Sequence, residues 1–122
     1  MEEPISRQQH GFTNYSYVPL IATAPALVGF EDQPTAVALA RVLSGSILAT
    51  SLLTRTEWGL IKVIPFKDHL IADTAVGLFD LSAPWLFGFS GHTKARNTFL
   101  AAGVFGIMAG LLSKPNEMPS AS

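Results

Sequence analysis

The sequence predicts an all-α membrane protein: four transmembrane helices in two tandem helical hairpins, with an interfacial segment between them. Three observations carry this reading. Hydrophobic residues make up 48% of the 122 and charged residues 14%, against about 25% charged in ordinary soluble domains. Four apolar stretches, at about 15–30, 36–54, 69–89 and 98–113, are separated by short polar breaks. The chain also repeats itself at an offset of 59 positions.

Taken in order, residues 1–14 form a polar tail containing Glu2, Glu3 and Arg7. A basic segment leading into a short apolar core is missing there, so no secretory signal is expected. The first hairpin is assigned to 15–54. Its opening stretch is short for a helix crossing a hydrocarbon core, which needs about 20 residues, and it contains Pro19 and Pro25. Glu31-Asp32-Gln33-Pro34-Thr35 reads as a turn, with Pro34 suited to the first turn of the next helix. Residues 55–68 alternate Trp58, Leu60, Ile61, Val63, Ile64 and Phe66 with Arg55, Glu57, Lys62 and Lys67. That pattern suits an amphipathic segment along a membrane surface, with Trp58 at headgroup depth. The second hairpin spans 69–113, broken at Ser90–Arg96, and 114–122 is a second polar tail.

The repeat is clearest at the turns. Thr23-Ala-Pro-Ala-Leu-Val-Gly-Phe30 aligns with Ser82-Ala-Pro-Trp-Leu-Phe-Gly-Phe89, five of eight positions being identical. At the same offset Ala36 meets Ala95, and Leu52-Leu53 meets Leu111-Leu112. Each unit is a helix, an exit turn and a second helix. Two crossings per unit make the copies parallel in topology, not inverted. Pro25 and Gly29 mark the first turn motif, Pro84, Trp85 and Gly88 the second.

Asp80-Leu-Ser-Ala-Pro-Trp-Leu-Phe-Gly-Phe-Ser90 resembles the SPW-repeat family of small bacterial integral membrane proteins, named for a Ser-Pro-Trp triplet near a helix end. Here the triplet reads Ser82-Ala83-Pro84-Trp85, and the first copy has Ala26 where Trp is expected. Glu57-Trp-Gly-Leu, Ile64-Pro65, His69-Leu and Asp73 are similar to the approach to this motif. The resemblance spans about residues 15–113 and is strongest over 57–112. It implies paired transmembrane helices and brings almost no biochemistry.

The sharpest candidates for chemistry are Asp73 and Asp80, seven positions apart and therefore on one helix face, with Gly77 and Pro84 continuing the stripe. Carboxylates inside a membrane usually face a bundle interior, a partner or a water path. A proton or ion relay is the functional reading. The simpler expectation places Asp73 near a headgroup region, with Asp80 bonded to a neighbouring helix or helix end. Arg41, within two turns of a helix end, is expected to snorkel, with pairing to a carboxylate such as Asp80 as the alternative. His69 is a weak ligand candidate. With His92 it makes no metal-ligand constellation, so capping or interfacial hydrogen bonding is expected for both, and His10 in the tail has no specific role. Gly103, Gly106 and Gly110, the latter two in GxxxG spacing, are expected to admit a close helix, as are Ser44 and Gly45.

With no cysteines, thiolate metal sites and disulfides are excluded, and the net charge of −1 argues against nucleic acid. No phosphate loop, HExxH pair or nucleophile elbow is present, so no catalytic residue, metal or small-molecule substrate is expected. The leading functional expectation is a non-catalytic accessory subunit among other membrane-protein subunits, in a respiratory or photosynthetic assembly. The alternatives are a small homo-oligomeric transporter or channel using Asp73 and Asp80, or a pigment- or haem-binding protein. Lipid is the expected surrounding. Arg7, Arg55, Lys62, Lys67 and Lys114 fall on one side, with Lys94 and Arg96 on the other. The positive-inside rule then places both termini in the cytoplasm of a multi-pass bacterial inner-membrane protein.

Overall fold

A computed structural model describes residues 4–115. The outer ends of the two polar tails, 1–3 and 116–122, lie outside the described residues. Four helices follow in order: α1 Arg7–Ala24, α2 Pro34–Leu53, α3 Phe66–Leu86 and α4 Thr93–Leu112. All four begin earlier than the apolar stretches suggest. In α1 the reason is local: Ser6 accepts from the Gln9 backbone N–H while the Gln9 side chain accepts from the Ser6 N–H. This capping box satisfies donors that would otherwise be orphaned. Half of the predicted tail is therefore helix, and its His10, Gly11 and Asn14 are buried.

The two exit turns are built alike. Phe30 N–H donates to the Pro25 carbonyl at 2.9 Å, and Phe89 N–H to the Pro84 carbonyl at 2.8 Å. Gly29 (φ 99°) and Gly88 (φ 77°) take the left-handed conformation that this six-residue closure requires. Phe30 and Phe89 then turn inward and are buried with Ala36, Ala40, Ala83, Ala95 and Phe99. Trp85 points outward, 60% exposed.

At the other end of the bundle the copies interlock. Ile5 pairs with Ser113, and Ile64 with Thr54. Ile5 N–H donates to Leu112 and Lys114 N–H to Ile5; 59 positions on, Ile64 N–H donates to Leu53 and, one copy back, Arg55 N–H to Ile64. The tail of each hairpin thus hydrogen-bonds to the start of the other, closing a two-fold ring.

Within the second hairpin α3 and α4 approach closely. A Cβ on Gly103 would stand 2.7 Å from the Gly77 carbonyl oxygen, one on Gly110 2.8 Å from that of Leu70, and one on Gly106 3.2 Å from that of Asp73. The GxxxG stripe serves intramolecular packing. Gly45 needs correction: a Cβ there meets nothing within 4 Å, because the position faces outward. Ser44 faces inward and is buried, its hydroxyl donating to the Arg41 carbonyl.

Burial is inverted relative to a water-soluble bundle. Leu20, Val42, Ile71, Leu78, Val104, Met108 and Leu111 are exposed, while His10, Asn14, His69, Asp73 and Asp80 are buried. Large exposed apolar surfaces mark membrane or partner contact. By length and apolarity α2 and α4 can each cross a membrane; α1 and α3 fall short of the same measure, α3 because its inward face carries His69, Asp73 and Asp80.

The connection between the hairpins is Thr54–Pro65, ending at Phe66 where α3 begins rather than at 68. It folds back on α2, with Leu60 and Ile61 N–H donating to Leu52. Trp58 lies over Gly11, and its indole N–H donates to the Gln8 carbonyl. Arg7 bonds both Glu57 oxygens, at 3.0 and 2.8 Å. This pair holds the Glu57 carboxyl below the usual glutamate range. Because that pKa is depressed on folding, the contribution is present near neutrality and fades as pH falls through it. Its exposure limits the pair to about 0–1 kcal/mol.

The glycine contrast is testable by thermal unfolding in detergent. Gly103→Ala should cost about 1–3 kcal/mol through overpacking, whereas Gly45→Ala should be neutral or gain about 0.5–1 kcal/mol from helix propensity. Equal effects at both positions would contradict this packing.

Candidate functional site

Near the interlocked end, α1 and α3 face each other across the two-fold ring, and each presents a polar pair at i, i+4 spacing: His10 and Asn14, His69 and Asp73. The pairs are repeat equivalents, 59 positions apart. All four side chains are buried, from 1% exposed at His10 to 4% at Asn14 and Asp73. They meet at one atom. Asp73 Oδ2 lies 2.7 Å from His10 Nε2, 3.1 Å from His69 Nε2 and 3.0 Å from Asn14 Nδ2. Asn14 Nδ2 is also 2.7 Å from His69 Nε2.

The other ring nitrogens are held by the helix ends. His10 Nδ1 is 2.7 Å from Ser113 Oγ, and His69 Nδ1 is 2.7 Å from Thr54 Oγ1. Both hydroxyls spend their hydrogen on a carbonyl one turn back: Ser113 on Ala109, Thr54 on Thr50. A hydroxyl that already donates can only accept from the imidazole. Both histidines therefore carry a proton on Nδ1, and their Nε2 atoms turn toward Asp73. Two imidazole lone pairs and a carboxylate oxygen converging in a dry interior need donors. The Asn14 amide meets part of this need, its two N–H groups reaching His69 Nε2 and Asp73 Oδ2. The contact of His10 Nε2 with Asp73 Oδ2 still brings two acceptors together, which a cation at the centre would relieve. Among the described residues His10, His69 and Asp73 form a group able to hold a metal, their ligand atoms all within 4.8 Å of one another.

Two turns along α3, Asp80 is 1% exposed, and neither carboxyl oxygen has a hydrogen-bond partner among the described residues. It shares with Asp73 a cavity lined also by Asn14, Tyr17, Val76 and Phe105. That cavity, of about 10 Å³, is near the minimum that holds one water molecule. The Tyr17 hydroxyl on α1 is within hydrogen-bonding influence of the Asp80 carboxyl, though outside ordinary hydrogen-bond geometry.

Several expectations change. Asp73 is the common acceptor of the interior cluster. Asp80 faces Tyr17 of the neighbouring α1, though without a hydrogen bond of ordinary geometry, and Arg41 is exposed on the outer face of α2 and does not pair with it. His69 is no cap: both its ring nitrogens are engaged inside the bundle. His10 is a central member rather than a tail residue. His92 does cap α4, accepting from the Ala95 N–H. The signal for His10 lay in the repeat itself. Extending the 59-residue offset upstream of the turns pairs His10 with His69 and Asn14 with Asp73; extending it downstream pairs Thr54 with Ser113.

The two carboxylates should respond oppositely to substitution. Asp73→Ala removes the shared acceptor and should lower stability by about 3 kcal/mol. Asp80→Ile restores the residue found at the equivalent position, Ile21. It should leave stability unchanged or raise it by about 1–2 kcal/mol, since an unpartnered buried polar group is removed. Unfolding in detergent micelles measures both, and a large loss at Asp80 would show an unrecognised partner.

A scan against protein families matches the SPW repeat domain over residues 8–113. Searches of curated proteins and of solved structures find no match to the chain. The matched region holds both turn motifs, all four helices but for the first residue of α1, and every member of the buried cluster. The chain belongs to the SPW repeat family.

Proposed function

We propose that the chain is a four-span membrane protein that binds a cation between its two hairpins and passes it along the line from Asp73 to Asp80, as a small transporter or channel. The observation carrying this is the pair of carboxylates buried two turns apart beside one cavity, the second without a hydrogen bond of ordinary geometry among the described residues. A scaffold has no need of such groups. Ionisable residues at membrane depth are costly and persist where they serve an ion path or a pairing. The apolar outer face around a polar interior supports four crossings. Arg7, Arg55, Lys62, Lys67 and Lys114 gather at the interlocked end, with Lys94 and Arg96 at the turn end, which favours cytoplasmic termini in a bacterial inner membrane.

The second reading is an accessory subunit of a respiratory or photosynthetic assembly. It is favoured by an apolar groove between α1 and α4, lined by Phe12, Leu20, Ile21, Val28 and Phe105, which suits a neighbouring helix as well as lipid. A pigment or haem on His69 is disfavoured, because macrocycle ligation would break its bond to Thr54 or to the Asp73 cluster.

Reconstitution into liposomes tests the leading reading. The wild-type chain should show flux of protons, monovalent or divalent cations, and Asp80→Asn should reduce it at least tenfold while the fold is kept. No flux of any cation above protein-free liposomes would defeat the transporter. Stoichiometric partner subunits in a mild-detergent preparation would then favour the accessory role.

A further inference from the structure

We propose that His10 Nε2, His69 Nε2 and the Asp73 carboxylate form a binding site for a divalent first-row transition-metal ion of the Zn²⁺ or Fe²⁺ class. This rests on the cation-binding reading above and names the ion and its ligands.

Four observations converge. The donor set, two imidazoles and one carboxylate, suits borderline divalent ions and not the hard Mg²⁺ or Ca²⁺, which take oxygen ligands. The spacing fits: bonds of about 2.0–2.2 Å around a tetrahedral ion place donor atoms about 3.3–3.5 Å apart. Here Asp73 Oδ2 is 2.7 and 3.1 Å from the two Nε2 atoms, with all ligand atoms within 4.8 Å. Seating the ion would widen the 2.7 Å approach by about half an ångström and bring the ligand atoms, now within 4.8 Å of one another, to a common spacing. The lone pairs are already aimed, because Ser113 and Thr54 accept from the two Nδ1–H groups. Outer hydrogen bonds of this kind fix tautomer and ring orientation in metal-ligating histidines. Finally, a fourth group stands in place. Asn14 Nδ2 is 2.7 Å from His69 Nε2, 3.3 Å from His10 Nε2 and 3.0 Å from Asp73 Oδ2. A half-turn of its amide about the side-chain bond would present Oδ1 to the same point.

The ligands come from α1 and α3, one pair from each copy of the repeat, so the site exists only when the ring is closed. It lies by the ends of α2 and α4 at Thr54 and Ser113, under the connection that carries Trp58. An ion would therefore arrive from the side bearing the termini.

The test uses the full chain in mild detergent, stripped with a chelator and titrated with Co²⁺ and Zn²⁺. One equivalent of Co²⁺ should bind and give visible ligand-field absorption, and Zn²⁺ should displace it. His10→Gln and His69→Gln should each lose binding by at least a hundredfold. Ser113→Ala and Thr54→Val leave the three ligands in place and should weaken it about ten- to a hundredfold. Circular dichroism identifies any variant that fails to fold, and the wild-type titration stands without them. No saturable Co²⁺ or Zn²⁺ binding by the folded wild type would overturn the site, as would binding that survives in the His10→Gln, His69→Gln double variant. Either result leaves the liposome flux to judge the broader cation reading, since protons or monovalent cations can cross without a metal site.

Discussion

The structure depends on one interaction made twice: a hydroxyl at the end of one hairpin accepts the Nδ1 proton of a buried histidine near the start of the other. Thr54 holds His69, and Ser113 holds His10. Each hydroxyl can do so because its own hydrogen is committed to a carbonyl in the last turn of its helix. Sequence neighbours alone would give two separate hairpins. These two contacts, with the short backbone pairings at Ile5 and Ile64, join the ends into a ring and turn both imidazoles inward. In an apolar surrounding, where water cannot replace a lost partner, the penalty for breaking such a bond is greater than in water.

The two copies differ most in the polar residues that they place in the interior. Asn14 on α1 stands opposite Asp73 on α3, so a symmetric frame carries one carboxylate rather than two. Two like charges sharing the centre would repel. Asp80 replaces Ile21 and adds a second charge along the same helix. The packing differs as well. Gly103, Gly106 and Gly110 in α4 correspond to Ser44, Ile47 and Ser51 in α2, and only the glycines let the partner helix approach to backbone contact. The second hairpin is thus the tighter unit and presents Asp73 and Asp80 from a rigid helix.

The fold was largely legible from the sequence because its signals are local. Apolar runs gave three of the helices to within a few residues, and Pro-x-x-x-Gly-Phe gave both turns. The start of α1 was not legible by apolarity, since residues 7–14 are polar for an interior purpose. A helix that buries His10 and Asn14 among other polar groups looks like a soluble tail when hydropathy alone is read. The site was missed for the same reason. Asp73 was found as a membrane carboxylate, but its partners come from 59 and 63 positions upstream, and only the ring closure brings them to it. The repeat offset contained that information. Gly45 shows the converse error: a small residue in a helix is not a packing site unless something packs there.

The central claim, that helix-end hydroxyls set the tautomer of both buried imidazoles, is most directly tested by ¹⁵N NMR of histidine side chains in the detergent-solubilised full chain. The account predicts a proton on Nδ1 of both His10 and His69 whether or not Nε2 is charged or ligated, with the Nδ1 signals perturbed in Ser113→Ala and Thr54→Val respectively. A bare Nδ1 with the proton on Nε2, at either histidine, would contradict it.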